Sequence, residues 1–272
     1  MLYFGEQPYS EALLLVIETG NTNTSFAIFQ GSKCLDVQKV SSLSLSSYDC
    51  IRNYLERIIT KYPALCDAAM CCVVPSLGHT IIDSLHHHLI GQVVMVTASM
   101  RLPFTLHYDI PDSFGADRIA LCALSYSLYP EKAVIALDIG TAITVDVLDS
   151  SGNYLGGLIM PGLDLMAKSL HEHTAQLPLV TLELPERLLG YSTVEGIRNG
   201  IIHGCVSSIE GIVAKIKCRM HEEYGESEIR VLATGGSAQR IAGMLDCAPV
   251  IDELAVLKGT RYLFELNSHF QV

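Results

Sequence analysis

Few residues of this chain are basic, no apolar run in it is of membrane length, and the common phosphate and metal signatures are missing. Each shortage excludes something. Lys and Arg number 18 against 29 Asp and Glu, and they are scattered, so no basic patch is there to follow a nucleic-acid backbone. Hydrophobic residues make up 49% of the chain, yet no uncharged apolar stretch reaches the roughly 20 residues of a membrane-spanning helix. The first residues show no basic region leading into an apolar core, which predicts a protein made and kept in the cytoplasm. The nine cysteines include no Cys-x-x-Cys spacing, and reduced, buried thiols are the expectation. Gly-x-x-x-x-Gly-Lys-Ser/Thr is also absent, so any nucleotide would be held without that loop and its lysine. At a net charge of −11, a phosphate ligand needs local compensation from backbone amides, helix N-termini or cations.

What is present is one pattern written twice: an apolar run, an acid, one residue, a glycine, then small hydroxyl or amide residues. The copies are Leu13-Leu14-Leu15-Val16-Ile17-Glu18-Thr19-Gly20-Asn21-Thr22 and Ala133-Val134-Ile135-Ala136-Leu137-Asp138-Ile139-Gly140-Thr141-Ala142. Each reads as a buried strand delivering a carboxylate to a tight glycine turn. The chain then turns apolar again (Ser25 to Phe29, Ile143 to Leu148) and ends in Gln30-Gly31-Ser32 or Ser150-Ser151-Gly152-Asn153, so both copies are expected to be β-hairpins. Backbone N–H groups at such a turn can approach a phosphate, hydroxyls add donors, and the acid can hold a cation. Two facing copies would clamp a nucleotide, and 272 residues suit two duplicated α/β halves.

Between the hairpins, Ile51, Tyr54, Leu55, Ile58 and Ile59 predict a helix over Ser47 to Tyr62. A strand Ala68 to Val74, a helix Gly78 to Leu89 and a strand Gln92 to Val96 follow. His86-His87-His88 reads as a solvated helical edge, because consecutive side chains point about 100° apart; His171 and His173 likewise face different ways. Tyr108-Asp109-Ile110-Pro111-Asp112-Ser113-Phe114-Gly115-Ala116-Asp117-Arg118 is a polar turn running into an apolar helix, Ile119 to Tyr129. Asp117 and Arg118 fall in its first turn, as a simple cap and surface pair or as an alcohol-activating base beside an anion anchor. A loop Glu183 to Tyr191 precedes a helix starting near Ser192 or Thr193. Thr193 could be its N-cap, and Gly196, Gly200 and Gly204 would permit close helix packing within a subunit or across a dimer.

Glu18-Thr19-Gly20-Asn21-Thr22, Gly115-Ala116-Asp117-Arg118, Asp138-Ile139-Gly140-Thr141-Ala142-Ile143-Thr144-Val145-Asp146 and Thr174-Ala175-Gln176-Leu177-Pro178 together resemble type III pantothenate kinase in order and spacing. The resemblance runs from about Leu13 onward and extends to Pro161-Gly162, Thr193 with Glu195, and Thr234-Gly235-Gly236. It implies an α/β fold of two duplicated ribonuclease-H-like (actin-like ATPase) domains, 12–118 and 119–272, with nucleotide in the cleft between them. It also implies ATP-dependent phosphorylation of the terminal hydroxyl of pantothenate, the first step of coenzyme A biosynthesis, by a homodimer whose pantothenate site lies near the dimer interface.

Carried over by position, Glu18, Thr19, Gly20, Asn21, Thr22, Asn23, Thr24 and Ser25 would hold the ATP phosphates. Glu18 would orient Mg2+, directly or through water, and Thr141 would add a phosphate contact. Asp138 would bind a monovalent cation, K+ or NH4+. Asp117 would be the general base, and Tyr108, Gly115, Ala116, Arg118 and Thr193 would position pantothenate beside it; Thr234-Gly235-Gly236 would lie near adenine and ribose. Two positions depart from the family pattern: Glu18 stands where Asp is usual, and Ile110 where Asn is common. A regulatory relative of the Bvg accessory factor kind, or a kinase for another small molecule, is the competing expectation.

Overall fold

The computed structural model describes residues 12–268; residues 1–11, which precede the first strand in the sequence and carry none of its motifs, lie outside the described residues. In chain order, β1 (Leu13–Thr19), β2 (Asn23–Gln30) and β3 (Lys33–Ser41) form an antiparallel meander. Helix α1 (Tyr48–Lys61), β4 (Leu65–Cys72), α2 (Pro75–His88), β5 (Val93–Met95) and α3 (Ala116–Leu128) follow. The plan then repeats: β6 (Ala133–Ile139), β7 (Ala142–Leu148) and β8 (Tyr154–Pro161) make a second meander. Helices α4 (Leu163–Glu172) and α5 (Thr193–Tyr224), β9 (Ile229–Thr234), α6 (Ala238–Ile241), β10 (Val250–Ile251) and α7 (Ala255–Ser268) complete it. Each sheet has five strands, in the orders β3-β2-β1-β4-β5 and β8-β7-β6-β9-β10. In both, the last two strands run parallel to the first strand of the meander.

The chain divides into two compact units. One contains residues 12–102, Ile110–Leu124 and 256–268; the other contains Pro103–Asp109 and Ser125–Ala255. In the first, Leu15 and Ile17 of β1 and Phe26 and Ile28 of β2 meet Ile51, Leu55 and Ile58 of α1 and Ile81 and Leu85 of α2. The 3- and 4-residue spacing of the α1 side chains gives the helix one apolar face, and Ser47 caps it by accepting from the Cys50 N–H at 3.3 Å. The opposite sheet face meets α7, where the Arg261 guanidinium lies 5.9 Å from the Phe29 ring. A Cβ at Gly259 would strike the Ala120 carbonyl, so a glycine is required where α7 crosses α3. In the second unit, Ile135, Leu137, Ile143 and Val145 pack on Ile197, Ile201, Ile202, Cys205 and Ile209 of α5.

Several expectations are corrected. Each hairpin continues into a third strand, because Gly31 and the 149–153 turn reverse the chain without leaving the sheet. β4 starts three residues before Ala68 and ends at Cys72, and α2 starts at Pro75, whose fixed φ and missing N–H suit the first helical position. The cap of α5 is Ser192, which accepts from the Glu195 N–H at 3.2 Å; Thr193 is the first helical residue and is exposed. None of the nine cysteines is paired, but Cys50, Cys66 and Cys218 are exposed, against the expectation of burial. Among the described residues no helix is long and apolar enough to cross a membrane.

Candidate active site

The first glycine turn closes β1 onto β2. The Gly20 N–H donates to the Asn23 carbonyl at 2.9 Å, and the Ser42 N–H to the Thr22 carbonyl at 3.0 Å. The Ser42 hydroxyl also donates to the Gly20 carbonyl at 2.7 Å, so the 3.0 Å contact between Thr24 Oγ1 and Ser42 Oγ has Thr24 as donor. Asn21 and Thr22 at the tip are exposed, whereas Thr19, Thr24 and Ser25 are buried.

Strand register builds the chemistry beside this turn. Glu18 lies opposite Ser25 on β2 and Cys71 on β4, and Ser25 lies opposite Lys39 on β3, so these side chains share one row across the sheet. The Glu18 carboxyl is pushed up to about 7, chiefly by burial; the Lys39 ammonium draws it down and the Asp117 carboxylate pushes it up. Asp117, in the first turn of α3, is also raised by burial, and the Arg118 N–H and guanidinium oppose that rise. Its Oδ1 accepts from the Arg118 N–H at 2.8 Å. The fully buried Cys71 thiol is raised by burial and then by the charges of Asp117 and Glu18. Glu18, Cys71 and Asp117 therefore share one electrostatic neighbourhood, 99 positions apart at its extremes in sequence (117 − 18). Arg118 is buried with its guanidinium carbon 4.3 Å from the Phe114 ring centre, which fixes the cation.

The second glycine turn is closed by main chain. The Gly140 N–H donates to the Ala142 carbonyl at 3.0 Å, Gly162 N–H to Thr141 at 2.9 Å, and Ser237 N–H to Ile139 at 2.9 Å. Asp138 lies opposite Thr144 on β7 and Thr234 on β9. The Thr144 hydroxyl is buried and makes no hydrogen bond among the described residues. Gly235, with φ +96°, brings its Cα so near β6 that an added Cβ would sit 2.5 Å from the Ile139 carbonyl carbon. Thr141 is exposed at the tip.

The predicted acceptor segment is divided: Tyr108 belongs to the second unit, with Thr193, while Gly115, Ala116, Asp117 and Arg118 belong to the first. Ile110 is 65% exposed, so the apolar side chain at this departure from the family pattern fills no core position. Lys39, Ser42 and Thr144 were not singled out from sequence as members of these neighbourhoods. Residues 33–41 alternate between exposed and half-buried positions in the folded strand, but their sequence carries no matching apolar alternation, since Leu35 and Val37 are the exposed ones; only strand register brings Lys39 to the Glu18 row.

Two five-stranded sheets of one topology, each with an acid leading into a glycine turn, are the fold class of actin-like ATPases and sugar kinases. Among solved structures, a Baf family protein from Campylobacter jejuni matches with a TM-score of 0.58 at 19% identity, over 94% of this chain and 100% of its own. Lmo2764 of Listeria monocytogenes, a candidate N-acetylmannosamine kinase, matches at 0.53 and 11%, over 94% and 99%. Both likenesses are of fold. Residues 14–215 match the family model of type III pantothenate kinase, and the chain belongs to that family. A type III pantothenate kinase from Chlorobium luteolum is 48% identical over 95% of this chain and 96% of its own length, and one from Chlorobium chlorochromatii is 45% identical over 95% and 97%. A more distant one, from Methylacidiphilum infernorum, is 33% identical over 93% and 88%.

Proposed function

We propose that the protein transfers the γ-phosphoryl group of ATP to the terminal hydroxyl of pantothenate, opening coenzyme A biosynthesis. The observation that carries the reading is the convergence, within one unit, of the first turn's acid Glu18 and Asp117 at the start of α3; family membership supplies the acceptor. Asp117 receives the hydroxyl proton as the oxygen attacks phosphorus. Burial makes it a stronger base than an exposed aspartate, and phosphoryl transfer asks little else of the protein than positioning and charge neutralisation. The turn from Glu18 to Ser25 presents N–H groups and hydroxyls to phosphate oxygens, Thr141 adds one contact from its own turn, and Arg118, with Tyr108, Gly115, Ala116 and Thr193, orients pantothenate. The regulatory alternative is not favoured, since curated relatives matching over nearly their whole length are named as kinases.

The residues fit the cations this chemistry uses. Mg2+ keeps waters and phosphate oxygens and takes only one or two carboxylates from a protein, a demand that Glu18 beside the phosphate turn can meet. The Glu18 carboxyl is pushed up to about 7 chiefly by burial, with the Asp117 carboxylate adding to the rise and Lys39 opposing it, so a cation bound beside it would favour its ionised form. In the other unit, the orphaned Thr144 hydroxyl opposite Asp138 supplies a second hard oxygen for K+ or NH4+. When bound, Mg2+ neutralises the charge of the transferring phosphoryl group; Glu18 would hold it, directly or through water.

The reading includes a homodimer. A Cβ at Gly196, Gly200 or Gly204 would meet nothing within 4 Å, although the backbone at Gly190 lies against the start of this face of α5. This face borders a groove of about 450 Å³ with Asn199 and His203. The Asn199 Oδ1, on a residue 3% exposed, accepts no hydrogen bond there.

The test is ADP release from ATP with Mg2+ and K+, with and without pantothenate, in wild type, Asp117→Asn and Glu18→Asp. Pantothenate-dependent release is expected, falling about 10²- to 10⁴-fold in Asp117→Asn. Release that ignores pantothenate, or an Asp117→Asn variant as fast as wild type, refutes the reading. If wild type is silent and Glu18→Asp is active, the extra methylene has cost the chain its turnover.

A further inference from the structure

Residues Pro103–Asp109 leave the first unit between Leu102 and Ile110 and belong to the second. There they are stitched to the turn before β8. The Thr105 N–H donates to the Gly152 carbonyl at 2.8 Å, and the Tyr154 N–H donates to the Thr105 carbonyl at 2.9 Å. The turn itself is rigid: the Asn153 N–H donates to Asp149 Oδ1 at 2.7 Å, Asn153 Nδ2 to Asp149 Oδ2 at 2.9 Å, and Gly152 N–H to the Asp149 carbonyl at 3.0 Å.

Three residues after Thr105, the Tyr108 ring meets the Tyr154 ring edge to face, with centroids 6.2 Å apart and planes at 65°, within the range of favourable aromatic pairs. Tyr154 is 2% exposed and Asp146 0%. The Tyr154 hydroxyl donates to Asp146 Oδ1 at 2.9 Å, a buried bond that holds the ring in one orientation. Gly157, which has no side chain, is the residue directly opposite Asp146 on β8, and Tyr154 of the same strand reaches the carboxyl along the diagonal. Tyr108, by contrast, keeps 37% of its surface exposed. Tyr154 packs against this ring.

We infer that Tyr154, anchored on Asp146, is a positioning residue that fixes the Tyr108 ring for the acceptor substrate and so links the second phosphate hairpin to acceptor affinity. The inference rests on the proposed role of Tyr108 in holding pantothenate. A loose Tyr108 would pay conformational entropy on each binding event, and a pre-set ring does not. None of Asp146, Tyr154 and Tyr108 is among the residues assigned to the ATP phosphates.

The experiment measures KM for pantothenate, KM for ATP and kcat in wild type, Tyr154→Phe, Asp146→Asn, Tyr108→Ala and the Tyr108→Ala/Tyr154→Phe double variant. Pantothenate titration calorimetry supplies the same comparison if turnover is silent. Tyr154→Phe keeps the ring and the fold while removing the hydroxyl. We expect it to raise KM for pantothenate about fivefold with KM for ATP unchanged, and to have no further effect once Tyr108 is truncated, because coupled residues are non-additive. Asp146→Asn should move the same constant in the same direction. An unchanged KM for pantothenate in Tyr154→Phe, equal rises in both KM values, or full additivity in the double variant overturns the positioning role. If Tyr108→Ala itself leaves pantothenate affinity intact, the assignment of Tyr108 as a substrate contact falls, and the inference with it.

Discussion

The two glycine turns share topology and place in the sheet but are built from different materials. The first is stapled by side chains: Ser42 bonds the Gly20 carbonyl, Thr24 bonds Ser42, and the neighbouring row holds Glu18, Ser25 and Lys39 with Asp117 close by. The second is stapled by main chain through Gly162, Ser237 and the close approach of Gly235, and its acid Asp138 faces two threonines. One architecture thus yields a charged corner, where burial perturbs carboxylates, and a close-packed corner, where glycine is required by sterics. Duplication of the backbone left the side chains free to divide the labour.

The largest expected contrast is steric. Gly235→Ala demands a Cβ 2.5 Å from the Ile139 carbonyl carbon at a φ of +96°, and should destabilise the protein by about 3 kcal/mol. Gly20→Ala meets only the Asn23 carbonyl oxygen at 3.1 Å and should cost about 1 kcal/mol. Urea unfolding of both variants compares the corners directly; equal losses would erase the distinction.

The next contrast is electrostatic. Because the folded pKa of Glu18, about 7, lies above its ordinary value of 4.5, the stability this group contributes is full below pH 4.5 and is lost as pH rises through 7. Glu18→Gln should therefore gain on wild type between pH 4.5 and 7, reaching on the order of 2–3 kcal/mol above that, and the gap should narrow when magnesium and nucleotide are added. Melting temperatures across this range read the effect, and a pH-independent gap would contradict it. The smallest effect is expected for Ser42→Ala, about 1 kcal/mol from the lost hydroxyl bonds, with a modest rise in KM for ATP. A rise in KM for pantothenate instead would move Ser42 out of the phosphate turn's support.

Much of this was legible before any coordinates. The apolar runs ending in Glu18-Thr19-Gly20 and Asp138-Ile139-Gly140 announce buried strands and turns because such strands need apolar residues on both faces. The i, i+4, i+7 spacing of Ile51, Leu55 and Ile58 announces α1 in the same way. Strands β3 and β8 were less visible, since β3 is half exposed and alternates, and β8 is interrupted by Gly156 and Gly157. Lys39 was invisible as a neighbour of Glu18 because register across three strands is a tertiary fact.

Local chemistry in the sequence was enough to specify the two turns, the helix start at Ser47, the start of α5 to within one residue and the acid of α3, since each depends on residues within a few positions of one another. Tertiary structure alone decided that Asp117 lies close enough to perturb Glu18, that α7 returns to the first unit, and that Pro103–Asp109 crosses to the second to set Tyr108 against Tyr154. Those pairings join residues distant in the chain, and only the packing of sheets and helices into a common core selects them.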